Sequence, residues 1–316
     1  MSKPKKHHFV PQAYLKFFSE ENTKGEYYIQ VFDKISGTVF TANIGDIAEK
    51  KNFNKVEKER FVFTTPNEDP LYYEYKYSEI FESRIPQIIR NITSTCTLCK
   101  STVPVLTDNI KKDLAMMIIV QLLRTPQSRR YSYDIGRPIS DRVIMNIREQ
   151  IGSLHNNIRK NEFLSVLDDF EYNEKFINSY HLQFSTDIDR LEKYAQILIE
   201  NRSWVIYEND LYKFIPFVTS DNPVVMLNMK TGDLGFGVNG LDNHMTVINM
   251  SLTPKYMVSM YHKRNLFGHY SQSYENMCIP VDDKKFVINQ TLLQIEQATR
   301  QVYTKPSQSI LLDALD

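Results

Sequence analysis

The sequence predicts an α+β fold, an antiparallel sheet built from an N-terminal hairpin plus a C-terminal meander, with a central helical region. Three observations carry this expectation. Apolar residues alternate near the start, recur at helical spacing through the middle, and return to a period of two after Asn201. Strands joined by short turns pair antiparallel, because parallel neighbours need a long crossover.

Residues 27–33 (YYIQVFD) are apolar and β-branched, Ser36-Gly37 supplies a turn, and residues 38–44 resume the pattern, which reads as a hairpin. Residues 61–63 add a short strand before Pro66 and Pro70 break it. Helical spacing follows over 72–92 (Tyr73, Tyr77, Ile80, Phe81, Ile88), with Pro86 expected to end or kink that helix. Thr107-Asp108 is an N-cap pair with Leu106 as a hydrophobic staple, and the helix it opens runs to about Leu123. Over residues 115–123 the apolar side chains cover every direction, the mark of a helix buried on most sides. Two charged segments, 139–170 and 174–201, read as helices that pack one face. Strands are expected at 204–207, 212–219, 224–227, 246–252 and 256–260, in a meander, followed by a last helix over 287–302. The chain reads as one compact unit over 1–316, with a helical portion at about 71–201, a sheet at about 202–285 and a closing helix at about 287–303. The N-terminal hairpin is expected to join or abut the C-terminal sheet.

Charge excludes several partners as the main determinant. The 38 Lys and Arg balance 38 Asp and Glu, so the basic excess of a protein that grips nucleic acid mainly through phosphates, or a polybasic membrane binder, is missing. The longest apolar run, 115–120, is interrupted by Gln121 and falls far short of the roughly 20 residues of a membrane span. No membrane partner is expected, and the reading is cytoplasmic. Three cysteines, Cys96, Cys99 and Cys278, argue against a disulfide framework.

Several motifs fail on chemistry. Cys96-Thr-Leu-Cys99 has half a zinc site's spacing but no second ligand pair, so ordinary reduced thiols are expected. Gly232, Gly235, Gly237 and Gly240 crowd one loop, yet no helix follows to complete a phosphate cradle, and a hairpin loop is the better reading. Ser220-Asp221-Asn222 and Lys230-Thr231-Gly232 spell two boxes of serine penicillin-binding enzymes, but the Ser-x-x-Lys box at the head of a buried helix is missing.

Three stretches remain. In His7-His8-Phe9-Val10-Pro11-Gln12, Pro11 favours extended backbone, so the two imidazoles point to opposite faces and at most one lines a given pocket. The aromatics Tyr14, Phe17 and Phe18 that follow call for burial, which would dock the histidines at the core's edge; a flexible basic tail is the alternative. Gln121 and Arg124 fall on or beside the apolar face of Ile110, Leu114, Met117 and Ile118, so a polar partner must wait in the core, either a carboxylate such as Glu82 or a substrate. Thr219-Ser220-Asp221-Asn222-Pro223 forms an Asx-type turn at a strand end, a place that can also hold a carboxylate toward a cleft.

HHFVPQAYLKFF, QLLRTPQSR and FVTSDNPVV, in this order and spacing, resemble the signature of a bacterial family, domain of unknown function 4238, over nearly the whole chain. The resemblance also implies a carboxylate in the helix after the first hairpin, matched by Glu82 in IFESRI, a strand of the type INMSLTP, and an asparagine in the closing helix, matched by Asn289. The family name carries no activity. It selects the same residues as the physical reading: His7, His8, Glu82 and Asp221 as catalytic groups, and Gln12, Gln121, Arg124, Ser220 and Asn222 as substrate-binding groups. That inventory suits acid–base hydrolysis of a phosphate-bearing substrate, a nuclease or phosphodiesterase of defence or toxin type, with a histidine as base and Arg124 as anion clamp. A non-catalytic nucleotide or anion-binding module and a purely structural polar network are the rivals. Nucleic acid or a nucleotide is the expected substrate; a divalent metal, a partner protein and a homo-oligomer stay open. The single-site reading places His8 and Asp221 in one pocket and gives Arg124 a carboxylate partner, Glu82 or Asp221.

Overall fold

The computed structural model describes residues 6–56, 65, 69–99, 103–153, 158–169, 172–235 and 239–308. It is an α+β fold. The strand expected at 61–63 lies outside the described residues. The chain enters as β1 (Lys6–His8), turns at Pro11 into α1 (Gln12–Leu15), and passes through the short β2 (Glu20–Glu21) to a hairpin of β3 (Tyr27–Asp33) and β4 (Thr38–Asn43). Gly37, at φ 70°, supplies the left-handed residue that this turn needs. β5 (Glu49–Lys51) returns to pair antiparallel with β1.

The helical region begins with α2 (Tyr72–Tyr77), which runs into a π turn over Ser78–Glu82 before α3 (Ile85–Cys99) starts. Pro86 therefore does not kink a continuing helix. It sits in the first turn of a new one, where its missing N–H has no acceptor to serve. α4 (Asp108–Leu123) opens on Thr107, whose hydroxyl accepts from Ile110 N, and its residues from Leu114 onward are buried almost without interruption, as the all-round apolar pattern required. The next helix begins earlier than expected: α5 (Pro126–Gly152) is capped by Thr125 with Pro126 at its first position, and a separate α6 (Ile158–Asp169) follows. α7 (Glu174–Ser185) and α8 (Ile188–Asn201) divide the last helical segment, each with its own side-chain cap, Asn173 and Asp187.

The remaining strands are β6 (Arg202–Asn209), β7 (Thr219–Ser220), β8 (Val224–Asn228), β9 (Thr246–Ser251) and β10 (Tyr256–His262); after α9 (Leu266–Ser271) come β11 (Cys278–Val281), α10 (Lys284–Gln297) and β12 (Gln301–Thr304). Three expectations need correction. The meander holds for β8, β9 and β10, but β6 joins it beside β10 and β11 adds parallel to β6, giving the order β11-β6-β10-β9-β8. The strand expected at 212–219 is mostly a turn. Phe214 N and Ile215 N both donate to Leu211 O at 2.9 Å, and Asn209 bonds Leu211 N and Ile215 O with its side chain, which coils the segment and leaves only β7 extended. The closing helix stops at Gln297 and Val302 lies in β12, because the amides of residues 299–301 turn to the Asp221 carboxylate.

β12 decides where the hairpin goes. It pairs with β3 on one side and β7 on the other, so the N-terminal hairpin forms a second sheet, order β2-β3-β12-β7, rather than extending the first. The main core packs Val10, Tyr14, Leu15 and Phe18 from the N-terminus with α3, α4 and the inner face of the β11-β6-β10-β9-β8 sheet, including Trp204 and Met260. Tyr14 ties these layers together: its hydroxyl accepts from the Thr219 hydroxyl at 2.9 Å and donates to Ser251 O. Tyr14→Phe leaves both partners buried without a mate, and is expected to cost about 1–2 kcal/mol in urea unfolding.

Candidate functional site

Pairing of β1 with β5 places His7 opposite Lys50 and His8 opposite Glu49, and the strand pleat sends the two imidazoles to opposite faces. His7 is fully buried. Its Nδ1 accepts from Asn54 N at 2.8 Å, with Glu74 Oε2 3.8 Å away, and Asn54 in turn donates to Glu74 at 2.7 Å. His8 is half-buried and faces the other way. Its Nδ1 lies 3.2 Å from Ile47 O, and since a carbonyl can only accept, Nδ1 carries the proton. Nε2 is then left as an acceptor, taking a hydrogen bond from the Gln12 amide at 2.8 Å. Burial is the largest influence on this ring and holds its pKa below the ordinary 6.5; the Ile47 carbonyl and the Glu82 charge push it up, and Arg124 pushes it down. His8 is accordingly a neutral imidazole of fixed tautomer at neutral pH.

Behind it lies Arg124, at the C-terminal end of α4 and only 1 % exposed. Nη2 donates to Glu82 Oε1 at 2.9 Å and to the His8 carbonyl, and the guanidinium lies 4.6 Å above the Tyr77 ring. Nε and Nη1 are buried and have no partner among the described residues. One turn back, Gln121 donates to Phe9 O at 3.1 Å. Glu82 ends the π turn, a helical irregularity that often accompanies a functional side chain, and keeps 29 % of its side chain exposed. His8, Gln12, Glu82, Gln121 and Arg124 thus meet at one place, with the first three partly open to solvent and the last two enclosed.

Ser220, Asp221 and Asn222 form a second set. Ser220 Oγ accepts from Asn222 N at 2.9 Å and from Gln294 Nε2 at 2.7 Å. Asn222 donates to Gln127 Oε1 and to Gln297 O, the latter at 3.2 Å. The Asp221 carboxylate accepts three backbone amides, Thr299 and Arg300 at 2.8 Å and Gln301 at 3.1 Å. Burial outweighs these bonds and raises its pKa above the ordinary carboxylate value. Among the described residues Asp221 shares no bonding partner with His8; it braces the link from α10 to β12. The carboxylate that Arg124 meets is Glu82, not Asp221.

The two sets are connected by residues 121–129. Gln121 and Arg124 reach back to the N-terminal box, while Gln127 reaches the Ser-Asp-Asn turn. Gln127, Gln294 and Gln297 were not singled out in the sequence, and Asn289, which the resemblance implied, is exposed. Gln290, Gln294 and Gln297 recur at helical spacing, and Gln290 accepts from Asn249 at 3.0 Å; a polar stripe on an otherwise ordinary helix was the available signal. Cys96, Cys99 and Cys278 form no disulfide. Among the described residues, no group of three or more His, Cys, Asp and Glu is placed to hold a metal ion, and no helix is long and apolar enough to cross a membrane.

The family described as protein of unknown function (DUF4238) matches residues 6–308. No curated protein and no solved structure matches the chain.

Asp221→Ala strands three amides and is expected to lose at least about 2 kcal/mol in urea unfolding. A pH series tests the histidines. Burial lowers both His8 and His181, so on acidification the unfolded chain binds protons first, and stability falls as the pH drops through about 6.5 toward the folded-state values. His8→Gln should shallow that slope between about pH 7 and 5, read by urea unfolding at each pH.

Proposed function

The chain belongs to the DUF4238 family, and for it we propose a hydrolase acting in the cytoplasm on a phosphate-bearing substrate, a nucleotide or nucleic acid, with His8, Gln12 and Glu82 as its working face. One observation supports this most: a neutral imidazole of fixed tautomer stands at the protein's edge, its Nε2 lone pair held by the Gln12 amide at 2.8 Å, beside a partly exposed carboxylate. A group that is unprotonated at neutral pH suits proton abstraction from water. Gln12 can turn its amide to the substrate as His8 takes the proton. Glu82 is positioned by Arg124, whose buried charge lies beneath the face and favours a developing negative charge there. Gln121 and Arg124 act as positioning residues, since both hold the backbone of the histidine box.

A structural role is the second reading, and it is favoured for the Ser220–Asn222 set by the three amides that fill the Asp221 carboxylate. The readings separate by activity together with stability. Purified protein is assayed on bis(4-nitrophenyl) phosphate and on single-stranded oligonucleotides, with and without magnesium or manganese. The hydrolase reading expects turnover that falls about 100-fold or more in His8→Ala, with a melting temperature close to that of the wild type. Equal rates in both proteins would sink it, and wild-type binding without turnover would leave the anion-binding module in its place.

A further inference from the structure

A second feature lies on the His7 side of the N-terminal strand pair. A cleft of about 690 Å³ opens between the end of β5 and the first turns of two helices, α5 and α7. Lys50, Lys51, Arg129 and Arg130 line it against two carboxylates, Asp134 and Glu174, and Asp134 already lies 3.7 Å from Arg130. Lys50 and Lys51 have no carboxylate partner among the described residues, although the chain as a whole is neutral.

Arg129 is the decisive group. It is 8 % exposed, and its donors go to neutral acceptors: Phe53 O at 2.6 Å, Asn54 Oδ1 at 3.5 Å and His181 Nδ1 at 3.4 Å. Its guanidinium lies 3.5 Å from the centre of the Phe53 ring. No carboxylate reaches it among the described residues, and burial lowers its pKa to about 10. Hydrogen bonds satisfy the donors, but among the described residues the charge is left without a counter-ion at the wall of an open cleft. A fixed buried cation with three more cations beside it, and two helix N-termini adding positive potential, is an environment that a multiply charged anion would neutralise.

We infer that this cleft binds a small phosphorylated molecule of about nucleotide size, its phosphates set against Lys50, Lys51, Arg129 and Arg130. The volume supports the size, since it falls in the range of pockets that hold drug-sized ligands and is too large for a lone phosphate. Tyr133 on the same wall offers an aromatic face for the rest of the molecule. The inference is independent of the hydrolase reading, because none of the cleft residues belongs to the His8 face.

The test uses ADP as probe, with sodium chloride added to controls at matched ionic strength. ADP is expected to raise the melting temperature and to give a measurable binding isotherm, and pyrophosphate should compete with it. The double variant Lys50→Ala/Lys51→Ala, changed at two exposed positions, should bind ADP at least about ten-fold more weakly while its melting temperature without ligand stays near the wild type. His8→Ala should bind ADP as the wild type does, whatever its effect on turnover. The assignment fails if ADP stabilises no more than matched salt, if pyrophosphate does not compete, if the lysine variant binds equally well, or if His8→Ala abolishes binding.

Discussion

A guanidinium enclosed at the end of a core helix is the constraint on which the N-terminal half of this protein depends. Arg124 is almost wholly buried, so the chain must bring acceptors to it. They come from separate segments: the His8 carbonyl from β1, the Glu82 carboxylate from the π turn, and the ring of Tyr77 from the end of α2. A strand of three residues at the edge of the molecule has little stability of its own. Its anchorage by Arg124 and Gln121, together with burial of Tyr14 and Phe18, makes the histidine box part of the core's edge instead of a tail.

The same arginine is not an economical way to stabilise a fold. Two of its nitrogens have no partner among the described residues, and each such group costs about 1–3 kcal/mol. Apolar replacement of buried ion pairs is often neutral or stabilising. Here the cost accompanies a carboxylate that Arg124 orients and that stays partly open to solvent.

The break between α4 and α5 distributes the polar groups. Arg124 closes one helix, Thr125 caps the next and Pro126 fixes its first turn, so residues only a few positions apart point into different surroundings. Gln121 and Arg124 serve the N-terminal box, Gln127 reaches the Ser220–Asn222 turn, and Arg129 enters the cleft beside β5. One short segment therefore couples regions that are distant in the chain. Asp221 does comparable work at the other end, gathering the amides that release α10 into β12, and β12 then joins the two halves of the second sheet.

Local physical signals were legible in the sequence. The all-round apolar pattern of α4, the Thr107 cap, the β3–β4 hairpin and the opposed histidines all depend on neighbours within a few residues, as does the need of Gln121 and Arg124 for polar partners. Which partner each would find was not legible, because it depends on contacts between remote segments. Glu82 reaches Arg124 only once the π turn has aimed it, and the Asp221 carboxylate takes the three amides that residues 299–301 offer it. Strand order escaped for the same reason: β6 and β10 are separated by other strands in the chain, and alternation of side chains reports which face is buried but not which strand lies alongside. The sequence determined the helices, the hairpin and the demand for buried polar pairing; tertiary structure alone decided the pairs, since long-range geometry selects among chemically equivalent partners.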